Sequence, residues 1–249
     1  MSGALVLCYH AVSERWPAPL SVTPERLRGQ VELLVARGLR GVRFSEVALG
    51  EAASGTFAVT FDDAYVSVLE HARPILADLG VPGTVFAPTA WVGRKQPMTW
   101  PGIDQWLGTE HEPELRCMSW AQLSELAEAG WEVGSHTRTH PRLTQLGDEA
   151  VADELLRSRE ECERGLGRSC PTLAYPYGDW DERVEAAAGT AGYAAAATLP
   201  AGLHAERPLS WPRVGVYHGD AGWRFRLKAS PLGRRARSGR AWSALGRLR

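Results

Sequence analysis

The sequence predicts a single α/β domain whose parallel strands form a barrel-like sheet. Short apolar runs alternate along the chain with helical patterns, which is typical of sheets built from βαβ units. At 249 residues, the chain is long enough for one sizeable core and needs no division into two such domains. Three polar motifs each follow an apolar run directly, and the carboxyl ends of the strands are where β/α barrels build their active sites.

Eight apolar runs are predicted to be strands of this sheet. They lie at residues 4–9, 40–44, 57–61, 83–87, 131–134, 172–175, 193–197 and 213–217. Residues 88–118 fit neither the helical nor the strand period, and they are too many for a simple connection. We therefore expect a functional loop in that segment.

The helices between these runs have recognisable ends. Thr23 is predicted to cap a helix that has Pro24 at its first position. A longer amphipathic helix is predicted from about residue 148 to its end at Gly167. Pro74 is expected to kink or restart the helix that follows the first polar motif.

The composition is that of an ordinary globular protein, with 44% hydrophobic and 23% charged residues. The first residues carry no basic leader, and no apolar run reaches the roughly 18 residues that suggest a membrane span. The four cysteines form no Cys-x-x-Cys pair, so reduced thiols are expected. These observations predict a cytoplasmic protein.

The end of the chain differs in charge from the rest. Residues 221–249 contain nine Arg or Lys and no acid. We divide the chain into a main domain, 1–228, and a basic tail, 229–249. The tail contains Trp242 among its basic residues, which suits either a flexible end or a helix in weak contact with an anionic membrane. Nucleic acid is not an expected partner, since no readout motif accompanies the charge.

If the tail binds anionic lipid, the full chain should pellet with anionic liposomes, and a form that ends at residue 230 should stay in the supernatant. The reason is that all the basic residues of the tail lie beyond residue 230. Equal pelleting of the two forms would contradict the lipid contact.

Three polar motifs carry the chemistry of this sequence. Asp62 and Asp63 directly follow the run at 57–61, and His136 and His140 follow the run at 131–134. The Tyr-Pro-Tyr-Gly motif at 175–178 begins at the last residue of the run at 172–175. Alone, each has an ordinary explanation as a helix cap, a pair of surface histidines or a turn. Together, at one end of a parallel sheet, they can supply three metal ligands and one free base. Three protein ligands with an open coordination position are typical of a catalytic metal site.

These motifs, in this order, resemble those of the polysaccharide deacetylases, the NodB-type carbohydrate esterase family four. The resemblance covers about residues 5–228 in layout and is specific at the first two motifs. It implies a distorted (β/α) barrel that holds a divalent metal, usually Zn²⁺, with Co²⁺, Ni²⁺ or Mn²⁺ as alternatives. It further implies a metal-dependent hydrolase that removes acetyl groups from N-acetylated sugars. A catalytically weak or inactive carbohydrate-binding relative is the alternative.

The resemblance assigns a role to each residue of the motifs. Asp63, His136 and His140 would be the metal ligands, and Asp62 the base that takes a proton from the attacking water. The backbone N–H of Tyr177 would bind the oxyanion of the tetrahedral intermediate, and Tyr177 is also a predicted substrate-binding residue.

Two histidines are candidates for the proton donor to the departing amine. Many members of the family end with a Leu-x-His motif, for which His218 is the nearest late match. His10, in a Tyr-His pair after the first predicted strand, resembles the opening of the subgroup that acts on poly-N-acetylglucosamine, and we favour it.

The chain departs from the family at the arginine that usually steadies the base. Ala174 stands where the third motif often has that arginine. Arg213, in Trp-Pro-Arg-Val near the last predicted strand, resembles the compensating arginine of the poly-N-acetylglucosamine subgroup. We therefore predict that Arg213 supports Asp62.

Several tryptophans lie in or beside the irregular loop at 88–118. An indole offers a sugar ring a flat apolar face with a polar edge. Trp100 and Trp120 are the predicted substrate contacts, and the others are expected in the core. Asp179 and Trp180, just after the third motif, are expected at the rim of the cleft.

Overall fold

A computed structural model describes residues 4–52, 54–200 and 205–233. Its strands are β1 (Leu5–Tyr9), β2 (Ala11–Val12), β3 (Ser21–Val22), β4 (Arg40–Val42), β5 (Thr56–Phe61), β6 (Gly83–Ala87), β7 (Glu132–Ser135), β8 (Thr172–Ala174), β9 (Ala195–Thr198), β10 (Trp211–Pro212) and β11 (Val214–Gly215). Its α-helices are α1 (Pro24–Ala36), α2 (Phe44–Ala48), α3 (Arg73–Asp78), α4 (Trp120–Glu128), α5 (Asp148–Leu166), α6 (Glu182–Thr190) and α7 (Trp223–Ala229).

The main sheet is a nearly closed barrel of parallel strands with helices around it, so the predicted fold class is confirmed. The strands follow the order β10-β9-β8-β7-β6-β5-β1-β11, and β4 pairs with the first half of β5. Seven of the eight predicted strands are present to within two residues at either end. The small sheet of β2 and β3 was not predicted, because its strands are only two residues long.

The barrel closes at one interrupted strand. The predicted strand at 213–217 is wrong in its bounds: the segment consists of β10 and β11, which Arg213 separates. β10 pairs with β9 and β11 pairs with β1, so the segment joins the two edges of the sheet. The backbone N–H of Arg213 donates to the carbonyl oxygen of Thr198 at 3.2 Å. Arg213 therefore lies at the seam of the barrel, and its side chain is fully buried.

Side chains alternate between the two faces of the barrel wall. One cluster of buried hydrophobic residues joins strands that are not neighbours in the sheet, so we take it to be the barrel interior. It includes Val6, Ala58, Phe86, Ala195 and Ala197. The intervening residues of β1 and β5 belong to the cluster that packs against the helices. By the same alternation, Cys8, Thr60 and Asp62 continue the inner series toward the carboxyl ends of the strands.

The predicted helix ends are confirmed. The Thr23 hydroxyl accepts a hydrogen bond from the Arg26 N–H at 3.2 Å, and Pro24 is the first residue of α1. α5 stops at Gly167, whose φ of +64° is a left-handed conformation that favours glycine. A π-helical turn precedes α3, and Pro74 is the second residue of that helix, so the chain restarts there as expected.

The predicted boundary after residue 228 falls at the end of α7. That helix packs on the core through Phe225 and Ala229. Most of the basic tail, residues 234–249, lies outside the described residues, so its lipid contact stays a prediction. In the part of the chain that the structure covers, no helix is long and apolar enough to cross a membrane.

Candidate active site

The predicted site residues meet at the carboxyl ends of the barrel strands. His10 follows β1, the Asp pair follows β5, His136 follows β7 and Tyr177 lies in the turn after β8. With His140, these residues line one cavity of about 470 Å³. The barrel therefore brings together three motifs that are far apart in the sequence.

The backbone of this rim is held in uncommon conformations. The residues other than glycine with positive φ in the described part of the chain are Asp63 (+69°), Ala64 (+52°), Thr137 (+61°), His140 (+67°) and Tyr177 (+60°). All belong to the three motifs or adjoin them, and each such residue costs on the order of 1–3 kcal/mol. Consecutive side chains of a strand point to opposite faces, so the turn after Asp62 is what lets both carboxylates face one cavity.

Asp63 and the two histidines converge as ligands of a metal would. The Asp63 Oδ1 atom lies 3.4 Å from the His136 Nε2 atom and 3.3 Å from the His140 Nε2 atom. That oxygen is buried and accepts no hydrogen bond from the described residues. Burial lowers the pKa of His140 to about 3, so the ring is neutral, as a ligand must be. The three residues fit a divalent metal with an open coordination position.

The two histidine rings are oriented in different ways. The His136 Nδ1 atom lies 2.7 Å from the Ala174 carbonyl oxygen, an arrangement that directs Nε2 toward Asp63. The His140 Nδ1 atom makes no hydrogen bond to another described residue. Its ring stacks on Trp100 instead, with centroids 4.0 Å apart, and meets Tyr177 edge-on at 4.7 Å. Trp100 lines the cavity and also supports a candidate ligand, and its contact with a substrate stays a prediction.

Asp62 is bound by Arg213 in a bidentate pair. The Nη1 and Nη2 atoms of Arg213 donate to Oδ1 and Oδ2 of Asp62, both at 2.7 Å. Burial alone would raise the pKa of Asp62, but the charge and hydrogen bonds of Arg213 outweigh it and keep that pKa below its usual value. The guanidinium also donates to the Thr60 hydroxyl at 2.9 Å. Asp62 is therefore a carboxylate that Arg213 orients, and the part that Arg213 plays in catalysis stays a prediction.

The structure places His10 and His218 differently. His10 lines the cavity and lies in a cluster with Cys8 and Asp62, whose candidate ligand atoms are all within 4.8 Å of one another. Burial lowers the pKa of His10. The Nδ1 atom of His218 lies 3.3 Å from the Ser21 carbonyl oxygen, and His218 does not line the cavity. Of these two histidines, only His10 lines the cavity with both carboxylates.

Other predicted rim residues lie outside the cavity. The Trp120 indole packs against α5, where a Cβ atom on Gly165 would come within 2.4 Å of the ring. The structure thus gives no support to Trp120 as a sugar contact. The Asp179 carboxylate accepts a hydrogen bond from the Thr144 hydroxyl at 2.7 Å, and Trp180 lies under the guanidinium of Arg207. Both help to order the rim without lining the cavity.

Glu154 supports the loop between the two histidines and was not predicted. One carboxylate oxygen of this buried residue of α5 accepts the backbone N–H groups of Arg138 (2.9 Å) and Thr139 (2.8 Å). The other accepts the Thr139 hydroxyl at 2.7 Å. The sequence holds a hint of this role, because Glu154 interrupts the buried face that Val151 and Leu155 define on α5. A buried charge on such a face needs partners.

Replacing Glu154 by alanine is expected to weaken metal binding by about 10- to 100-fold, because the loop between His136 and His140 loses three hydrogen bonds. Competition against a chromogenic chelator measures this affinity. Glu154→Gln, which can still accept the backbone N–H groups, should recover part of it, and Glu160→Ala, an exposed residue of the same helix, should leave it unchanged. An unaltered affinity in a folded Glu154→Ala protein would show that the loop does not need this support.

Comparison with known proteins gives a family match that covers all three motifs. The model of the polysaccharide deacetylase family matches residues 50–196, more than half of the chain. A Bacillus subtilis protein named as a polysaccharide deacetylase, YxkH, is 23% identical over 202 residues, which are 79% of this chain and 64% of that protein. The poly-beta-1,6-N-acetyl-D-glucosamine N-deacetylase of Staphylococcus aureus is 26% identical over 129 residues, 48% of this chain and 39% of the enzyme.

The fold is that of known deacetylase structures. IcaB from Ammonifex degensii superposes with a TM-score of 0.74 at 24% identity, over 94% of this chain and 98% of that one. At this identity, the likeness concerns the fold alone. The chain spans less than two thirds of the length of the two curated relatives described above.

Proposed function

This chain belongs to the polysaccharide deacetylase family, and from that premise we propose that it is a metal-dependent hydrolase that removes the acetyl group from an N-acetylated sugar. The observation that carries the proposal is the convergence of a three-residue ligand set and an Arg-bound carboxylate on one cavity. The sugar can be a polysaccharide, an oligosaccharide or a glycoconjugate. Zn²⁺ is the proposed metal, and Co²⁺, Ni²⁺ and Mn²⁺ are the alternatives.

Asp63, His136 and His140 would hold the metal. When bound there, a divalent metal would polarise the acetamide carbonyl and lower the pKa of a water molecule at the open position. The chain itself fixes the ligand geometry, through the Ala174 carbonyl behind His136 and through the Trp100 ring against His140.

Asp62 is proposed as the general base. Its carboxylate is ionised at neutral pH because Arg213 binds both oxygens, and it adjoins the ligand Asp63. As water attacks the acetamide carbon, Asp62 takes a proton from it, a role worth about 10²- to 10⁴-fold in rate.

Tyr177 and His10 complete the proposed reaction. The left-handed backbone of Tyr177 is proposed to present its N–H to the developing oxyanion. His10 is proposed to deliver a proton to the nitrogen as the carbon–nitrogen bond breaks, which lets the amine leave. Its position beside both carboxylates supports this role, because their negative charge favours the protonated ring that must supply the proton, against the effect of burial.

Acetate release from a panel of N-acetylglucosaminyl substrates tests the proposal. The full chain should release acetate, a chelator should abolish the release, and Zn²⁺ should restore it. Release that a chelator does not change would contradict the metal-dependent mechanism. If the protein binds these sugars but releases no acetate with any of the four metals, it is instead the inactive, carbohydrate-binding alternative. The cytoplasmic location stays a prediction.

A further inference from the structure

Arg142 is a charged residue of the cavity that the proposed reaction does not use. It lies two residues after His140 and lines the cavity together with both carboxylates. Its guanidinium carbon lies 4.1 Å from the centroid of the Tyr177 ring, so the arginine covers one face of the tyrosine whose backbone N–H is proposed to bind the oxyanion. The charge of Arg142 is thus held at the mouth of the cavity.

Three other arginines on neighbouring segments have acidic partners. Arg138 pairs with Glu161, Arg183 with Asp148 and Arg207 with Glu185. Arg142 makes neither an ion pair nor a side-chain hydrogen bond with any residue that the structure describes. The residues outside that description include no Asp or Glu, so none of their side chains can be an acidic partner of Arg142.

The carboxylates of the cavity do not need Arg142. Asp62 is neutralised by Arg213, and Asp63 faces the two histidines of the ligand set. A guanidinium offers a planar fork of N–H donors that matches a carboxylate or a phosphate. Its stacking on Tyr177 holds the arginine in place and leaves the edge donors available to a ligand.

We propose that Arg142 binds an anionic group, a carboxylate or a phosphate, on the N-acetylated sugar. The inference rests on the proposed deacetylase function and narrows its substrates to acidic N-acetylated glycans. The anionic group would lie at the mouth of the cavity while the acetamide reaches the ligand set. Arg142 then determines specificity without contacting the reacting atoms.

The test compares three glycosides of N-acetylglucosamine, one neutral, one with a 6-phosphate and one with a carboxylate-bearing ether. The metal-loaded full chain should hydrolyse at least one acidic glycoside with a kcat/KM about tenfold above that of the neutral one, because the acidic group would gain a charge-assisted hydrogen bond to Arg142; tenfold corresponds to about 1.4 kcal/mol. Arg142→Gln should remove most of that preference, and Arg142→Lys should keep part of it. The acidic glycoside that is preferred shows whether Arg142 binds a phosphate or a carboxylate.

Arg94→Gln is the matched control. Arg94 also lies over an aromatic ring, the indole of Trp91, at 5.3 Å, but it does not line the cavity. This variant should keep the preference of the wild-type protein for acidic glycosides. Equal kcat/KM for neutral and acidic glycosides, or a preference that survives in Arg142→Gln, would overturn the role of Arg142 while leaving the deacetylase function intact.

A binding measurement separates the two proposals. The de-N-acetylated counterparts of the three glycosides cannot be turned over, and their dissociation constants can be measured by calorimetry. If no sugar releases acetate, the proposed function fails. The anion site is still supported if the wild-type protein binds an acidic amino sugar more tightly than the neutral one and Arg142→Gln abolishes that difference. Equal binding of neutral and acidic amines by the wild-type protein would overturn it.

Discussion

Replacing Asp62 by asparagine is expected to lower kcat/KM for acetate release by about 10²- to 10⁴-fold, because the amide cannot take a proton from the attacking water. The side chain keeps its size, and Asp63, His136 and His140 are unchanged. Metal content, measured by elemental analysis, should therefore stay at the wild-type stoichiometry. Steady-state acetate release at saturating Zn²⁺ measures the loss.

Asp104→Asn is a suitable control for this experiment. Asp104 is an exposed carboxylate on the loop beside the cavity and does not line it. The same chemical change at that position should leave kcat/KM near the wild-type value. Full activity of Asp62→Asn would contradict the assignment of Asp62 as the base. Loss of the metal from Asp62→Asn would instead point to Asp62 as a ligand.

Replacing Arg213 by methionine is expected to destabilise the protein by about 3–5 kcal/mol, because the buried Asp62 carboxylate loses its bidentate partner. Urea unfolding followed by circular dichroism measures this free energy. The pKa of Asp62 should rise, since burial then acts without the opposing charge. A general base works only when deprotonated, so the acid limb of the kcat/KM profile should move to higher pH.

The double variant Asp62→Asn/Arg213→Met distinguishes stability from catalysis. It removes both charges, so it should unfold at a higher urea concentration than Arg213→Met alone. Its activity should stay as low as that of Asp62→Asn, because the base is still missing. An Arg213→Met protein with wild-type stability and an unmoved acid limb would show that the ion pair has no part in either.

The sequence by itself determined the class of the fold and indicated the candidate ligand set. The apolar runs and helix caps give the order of strands and helices, because such periods and caps depend on residues near in sequence. The same order places Asp63, His136 and Tyr177 after strands of one parallel sheet. Since all parallel strands end on one rim, their convergence could be predicted without coordinates.

Other features depend on how the barrel closes. Arg213 and Asp62 are 151 residues apart, and they meet because β10 and β11 pair with opposite edges of the sheet and leave Arg213 at the seam. The sequence suggested this pair only by resemblance. Likewise, His10 and His218 were both candidates on paper, and the packing of the rim brings only His10 into the cavity.

The support around the ligands was decided by tertiary packing alone. The sequence placed Trp100 and Trp120 together as sugar contacts, whereas the structure stacks Trp100 on His140 and packs Trp120 against Gly165. Glu154 reaches the histidine loop from a helix that begins after it. A sequence shows which residues can bind a metal or a proton, because that chemistry belongs to the side chain. Which neighbours orient them depends on contacts between distant segments, and only the folded chain brings those segments together.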